Sequence, residues 1–220
     1  MNEKEIYIKI LQWLNNKKEV AIANVIETWG SSPRPVGSIM AINSDHDIIG
    51  SVSGGCVENF VFGKALEVIK NNNVETLEFG VTNSKAWEVG LTCGGKIKVF
   101  LEKISHKDID FIKKINEIYT ENKTMVIATR LNDGQRDIFY NTEANKSKAK
   151  FRIDFNTIKS GIRLLEDQEW FLKVFQNNAK IIIIGAVHIA EPLINFANHL
   201  NYEVFLIDPR STFNEKKFNN

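Results

Sequence analysis

The sequence predicts an α/β protein, and three observations carry that expectation. Short β-branched runs, such as residues 20–28 and 181–184, alternate with stretches of helical period, such as 3–15 and 108–122. Twice, a strand runs through a glycine-containing turn directly into a helix, once at residues 47–69 and again at 180–200. The apolar share of 43% over 220 residues is ordinary for a globular chain and is enough for one large domain or two small ones.

From the start of the chain, Ile6, Ile10, Trp13 and Leu14 recur on one helical face. Residues 20–28 are nearly all apolar, as a strand buried on both faces requires. Trp29-Gly-Ser-Ser-Pro-Arg-Pro-Val-Gly37 follows, in which two prolines hold Arg34 extended and out of any regular ladder. An arginine on a stiff loop suits phosphate or carboxylate capture; a rigid surface loop with a solvated arginine is equally compatible. Strands are expected at 38–43 and 47–52. Then Gly50-Ser-Val-Ser-Gly-Gly-Cys-Val-Glu58 leads into a helix on which Val57, Phe60, Val61, Ala65, Val68 and Ile69 share a face. Residues 74–79 and 96–104 alternate as strands, 108–122 as a helix, and 124–131 with 137–140 as a hairpin about Asn132-Asp133-Gly134. Residues 151–155 and 169–175 are further strand candidates, 157–165 is ambiguous, and 143–150 is a polar, lysine-rich loop.

The chemistry-bearing residues cluster. The chain has two cysteines, Cys56 and Cys93, and each adjoins a Gly-Gly pair, Gly54-Gly55 before the first and Gly94-Gly95 after the second. Glycine lets backbone N–H groups approach a ligand, and successive N–H groups form a concave anion site. Cys56 falls at a helix N-terminus, where unpaired N–H groups and the dipole favour negative charge, and Glu58 in the first turn agrees with that dipole. The two segments are therefore expected to meet and form one pocket for an anionic ligand bearing sulfur or metal. Each segment alone is also compatible with a simple turn and a small buried thiol.

From residue 180 the character changes. Residues 181–184 form an apolar strand, Gly185-Ala-Val-His-Ile-Ala190 opens a helix, and 203–207 is a second apolar strand ending in Asp208. This is the opening of a dinucleotide-binding βαβ unit, with Asp208 where a ribose hydroxyl would sit and His188 as a candidate polar contact. Gly185 and Ala190 fit the first and third glycine positions, but Val187 stands at the second and argues against ordinary NAD(P) binding. The expected division is a mixed-sheet α/β domain over 1–104, a helix with strands over 105–178 that continues it or connects, and a truncated Rossmann-like βαβ segment over 179–220.

Charge and composition exclude several classes. With 28 basic and 27 acidic residues, no nucleic-acid surface is expected. No apolar run reaches the roughly 20 residues of a membrane span, and the charged N-terminus lacks a secretory core, so cytoplasmic localisation is expected. Zinc is not expected, because neither cysteine has a C-x-x-C partner and the four histidines show no ligand spacing.

Taken together, Thr28-Trp-Gly-Ser-Ser-Pro-Arg-Pro35, Gly50–Glu58, Ala86-Trp-Glu-Val-Gly-Leu91, Thr92-Cys-Gly-Gly95 and Gly185–Ala190 resemble the XdhC/CoxI family of accessory proteins for molybdenum hydroxylases. The resemblance implies a non-enzymatic carrier that binds the molybdenum cofactor as cargo, with or without an added nucleotide. It also implies support for exchange of an oxo for a sulfido ligand, and delivery to the apo-hydroxylase. Expected partners are the large subunit of a xanthine dehydrogenase- or carbon monoxide dehydrogenase-type hydroxylase, a cysteine desulfurase, and a second copy of the chain. Cys56 and Cys93 are assigned to the metal or sulfur end, Arg34 with Ser53, Gly54 and Gly55 to the anionic end, and Gly94, Gly95, Gly185, His188 and Asp208 to further cofactor contacts. A nicotinamide-dependent oxidoreductase built on residues 185–208 and an inactive family member are the competing readings.

Overall fold

A computed structural model describes residues 3–80, 94–121, 124–141, 151–175, 179–200 and 202–210. The chain divides into two compact units, Met1–Gln176 and Asn177–Asn220. Its α/β class holds. In the first unit, α1 (Glu3–Asn15) buries Ile6, Tyr7, Ile10, Trp13 and Leu14, the stripe that helical spacing demands. It stops where Lys17 turns left-handed and Lys18 N–H closes back on the Trp13 carbonyl at 3.0 Å.

Strand β1 (Val20–Trp29) follows, then β2 (Ile39–Asn43), β3 (Ile48–Gly50), α2 (Glu58–Asn71), β4 (Val74–Phe79) and β5 (Lys96–Ile104). The five strands form one sheet in the order β3-β2-β1-β5-β4, every neighbour antiparallel. Side chains alternate across a strand, so a central strand covered on both sides must be apolar at every position. That is why residues 20–26 read as an almost unbroken apolar run. Ala21, Ala23 and Val25 face α2, whereas Val20 and Ile22 face α1. The α2 helix ends at Asn72, whose left-handed backbone donates to the Val68 carbonyl.

After a 3₁₀ turn, His106–Asp108, come α3 (Ile109–Glu121), β6 (Met125–Arg130), β7 (Arg136–Tyr140), β8 (Gly161–Leu165) and β9 (Gln168–Phe175). These four strands make a second antiparallel sheet, β7-β6-β9-β8. Among the described strands, parallel pairing is confined to the second unit. One core joins both sheets of the first unit: Ile6, Ile10, Leu14 and Ile22 pack with Ile112, Ile115, Met125, Ile127 and Phe175. Residues on either side of position 104 therefore bury a common interior.

Residues 151–155 are not a strand. Asp154 accepts from the Asn156 N–H at 3.0 Å and the Thr157 hydroxyl at 2.8 Å, and this turn outcompetes the ladder. Phe151 still reaches the core, against Phe139 and Trp170. The ambiguous stretch 157–165 supplies β8. Expected features at 81–93, 143–150 and 214–220 lie outside the described residues.

The second unit contains β10 (Lys180–Ile184), α4 (Ala190–His199) and β11 (Glu203–Ile207). The strands pair in parallel, register Ile181↔Val204 to Ile184↔Ile207, with α4 as the crossover. Ala190, Ile194 and Ala197 form the buried face of α4.

Candidate functional site

Antiparallel pairing decides where the glycine-bearing segments meet. Trp29 lies opposite Lys96, Phe79 opposite Ile97, Asn24 opposite Ile39, and Met40 opposite Gly50. The loop after β1, the loop after β3 and the chain entering β5 therefore emerge at one end of the sheet. Contacts follow. A methyl group on Gly95 would overlap the Ser31 carbonyl, and one on Gly54 would touch Pro33 at 3.9 Å. The Trp-Gly-Ser-Ser-Pro loop thus lies against both Gly-Gly segments. Cys93 itself is outside the described residues, so the meeting concerns its neighbours Gly94 and Gly95.

The loop carrying Cys56 is built around a carboxylate of the chain itself. Glu58, the first residue of α2, turns back into the glycine turn. Its Oε1 accepts from the N–H groups of Ser53 at 2.8 Å, Gly54 at 3.0 Å and Val52 at 3.2 Å, and from the Ser51 hydroxyl at 2.7 Å. Its Oε2 accepts from the Gly55 N–H at 2.8 Å and the Ser53 hydroxyl at 2.5 Å. Gly54 and Gly55 have φ of +81° and +121°, the left-handed conformation that turns their N–H groups into one concavity. Burial pushes the Glu58 carboxyl up, but hydrogen bonds from Ser53, Ser51 and the loop amides outweigh it and bring it down to about 2. So the anion seat expected here is filled by Glu58. Ser53 is buried, and its hydroxyl also accepts the Val57 N–H at 3.0 Å. Cys56 is half-buried at the margin of the core cluster around Val52, Val57 and Val61.

Arg34 goes elsewhere. Its side chain lines a cavity of about 230 Å³ with Glu3, Ser38, Ser160 and Lys173, and no residue of 53–56 lines that cavity. At the loop end of the sheet a second cavity, of about 340 Å³, is lined by Trp29, Phe79, Gly80, Lys96 and Ile97 among others. There the Lys96 ammonium sits 5.7 Å from the centre of the Trp29 ring, within cation–π range. Among the described residues, no group of three or more His, Cys, Asp or Glu side chains could hold a metal ion. Nor is any described helix long and apolar enough to cross a membrane.

In the second unit, Gly185 has φ +106° and its N–H continues the parallel ladder to the Ile207 carbonyl at 2.8 Å. The Asp208 carboxylate accepts the Ala186 N–H at 2.6 Å and pairs with the Arg210 guanidinium at 2.7 and 2.9 Å. The Arg210 guanidinium, together with the Ala186 and Arg210 amides, holds this carboxyl well below the usual carboxylate range. His188 is exposed in the turn before α4.

Residues 13–80, from the end of α1 through β4, match the model of the XdhC and CoxI family. This segment holds Arg34, the Glu58-centred loop and Cys56. Over 210 residues, 91% of this chain, the sequence is 24% identical to a protein of Bacillus subtilis named as a probable xanthine dehydrogenase subunit. Over 91 residues, 41% of this chain, it is 32% identical to the molybdenum cofactor insertion chaperone PaoD of Escherichia coli. The fold resembles a solved Bacillus halodurans protein described as a xanthine dehydrogenase, with a TM-score of 0.69 and 22% identity over 94% of this chain. The aligned region spans 62% of the Bacillus subtilis protein, 28% of PaoD and 63% of the solved chain.

Two features of the site escape a reading of the family motifs. Glu58 stands three residues after Gly55, the spacing of the reach-back half of a capping box, which was a usable signal. Lys173 is a lone lysine inside the apolar strand Trp170-Phe-Leu-Lys-Val-Phe175; a cation there needs a partner, although nothing local says which.

Proposed function

We propose that this chain is a carrier of the molybdenum cofactor, serving the maturation of a xanthine dehydrogenase- or carbon monoxide dehydrogenase-type hydroxylase without itself being an enzyme. The observation that carries this reading is the Cys56 loop. A half-buried sulfur sits beside a glycine turn whose N–H groups are locked onto Glu58, at the sheet end where the Gly30–Pro33 loop and Gly94-Gly95 converge. Support comes from the family match over this segment and from the likeness to a protein named as a cofactor insertion chaperone. A soft sulfur ligand suits the metal end of the cargo. In this reading Cys56 and Cys93 contact that end, Arg34 serves the anionic end, and Gly54 with Gly55 hold the loop through Glu58. The partners are an apo-hydroxylase and a cysteine desulfurase acting on the carried cofactor. Within the second unit, Gly185, His188 and Asp208 are the residues this reading assigns to a nucleotide, where the cargo carries one.

The test is metal and pterin analysis of protein purified from a host that makes the cofactor. The wild type is expected to co-purify with molybdenum and pterin, and Cys56→Ala and Cys93→Ala to lower loading by about tenfold or more. A wild type without molybdenum or pterin would overturn the carrier reading. Full loading in both variants would remove the cysteines from it.

The parallel β10–α4–β11 unit with an acid after β11 favours a second reading, nicotinamide binding. Saturable quenching of protein fluorescence by NADH at micromolar concentration would support it over carriage.

A further inference from the structure

The cavity at Arg34 has its own chemistry. Its floor is the buried amine of Lys173, 4% exposed, which pairs with the Glu3 carboxylate and donates to the Asn24 side-chain oxygen at 3.2 Å. These contacts use two of the ammonium's three donors, and the centres of the Tyr7 and Phe175 rings, 5.5 and 5.4 Å from it, offer cation–π contacts rather than hydrogen bonds. Arg34 comes from the proline-flanked loop that also lines the cavity, and its Nε is a buried donor without a hydrogen-bond partner. Ser160 adds a hydroxyl whose oxygen already accepts the Val174 N–H at 3.0 Å, leaving its proton to donate. The lining side chains thus carry two cations and one carboxylate, and the donors come from three separate segments of the chain.

An orphaned buried N–H is unfavourable, and an uncompensated positive charge in a cavity more so. One small dianion would relieve both. The volume, about 230 Å³, is below the ~300–1,000 Å³ of sites for drug-sized ligands, so it suits a small ion or one end group of a larger ligand. Guanidinium, ammonium and hydroxyl donors from three separate segments suit the several oxygens of a phosphate better than the two of a planar carboxylate.

We propose that Arg34, Lys173 and Ser160 form an oxyanion site of the phosphate class, separate from the glycine turn that Glu58 occupies. The site stands on this cavity and does not require the carrier reading. Its phosphate comes either from free solution or from the end group of a carried cofactor, and the two arms of the test tell these apart.

In the first arm, cofactor-free full-length protein is titrated with inorganic phosphate, and with acetate as comparator, and amide chemical shifts are followed. Saturable phosphate shifts are expected at Gly37, Ser38 and Ser160. Arg34→Ala should weaken the binding by about tenfold or more without lowering the melting temperature of the phosphate-free protein, because the Arg34 Nε has no partner to lose. Ser160→Ala should weaken it less. Absence of saturation in the wild type, equal affinity in Arg34→Ala, or acetate binding as tightly as phosphate would overturn the site. The second arm measures pterin loading of Arg34→Ala in a host that makes the cofactor. Loss of loading together with loss of phosphate affinity assigns the site to the cargo. Retained loading with lost phosphate affinity assigns it to free phosphate.

Discussion

At the scale of single residues, Glu58 is the hinge of the candidate site. One carboxylate satisfies four backbone N–H groups and two hydroxyls, which ties the glycine turn to the first turn of α2 and sets where Cys56 emerges. Glu58→Gln keeps one acceptor oxygen but replaces the other with an NH₂ that faces donors. It should destabilise the protein by about 1–3 kcal/mol in urea unfolding at pH 7. The pH dependence has a definite sign. The folded carboxyl lies near 2, below its ordinary value of 4.5, so its contribution is complete above that ordinary value. It is lost as the pH falls from there through about 2. Solvent screening of this half-exposed group holds the contribution to about 1–2 kcal/mol. The gap between wild type and Glu58→Gln should therefore narrow between about pH 5 and pH 2; a constant gap would count against the loop geometry. Sequence offers Glu58 a dipole argument and a capping-box spacing to Gly55, but its hydrogen bonds to five preceding positions depend on the fold of the turn.

At the scale of elements, the joint between the two sheets of the first unit rests on a buried ionic cluster as well as on the hydrocarbon core. Arg136 on β7 donates from Nε to Glu102 on β5 at 2.6 Å and from Nη1 to Asp108 in the 3₁₀ turn at 2.9 Å. Glu102 is only 5% exposed. Arg136→Met strands that carboxylate and should cost about 3–5 kcal/mol; adding Glu102→Leu should recover much of the loss, since an apolar pair removes the buried charge altogether. Chemical denaturation of the single and double variants measures both. The elements themselves were largely legible. Residues 20–28, 74–79, 96–104 and 203–207 read as strands because burial period and β-branching agree, and they fold as such. Residues 151–155 misled, because the apolar alternation of Phe151, Ile153 and Phe155 is indistinguishable from a strand until the Asp154 turn is seen.

At the scale of the molecule, the candidate site exists because antiparallel pairing gathers loops from residues 30, 54 and 95 at one sheet end. Gly95 marks the closest approach, where a side chain would overlap the Ser31 carbonyl. Gly95→Ala should cost about 2–3 kcal/mol through forced separation of the two loops. Gly94→Ala meets open space and bears only the strain of φ +70°, about 1 kcal/mol. Equal destabilisation by the two variants in thermal unfolding would contradict this packing.

The sequence by itself determined the α/β class, most element boundaries and the glycine, cysteine and arginine segments that carry the family likeness. Those features are local: period, turn chemistry and residue spacing are written in neighbouring positions. Only the tertiary structure decided that Glu58 fills the amide concavity, that Arg34 turns toward Lys173 and Ser160, and that one core spans position 104. Each of these pairs a donor or a surface with a partner defined by strand order and register, and no local pattern encodes which distant residue that will be.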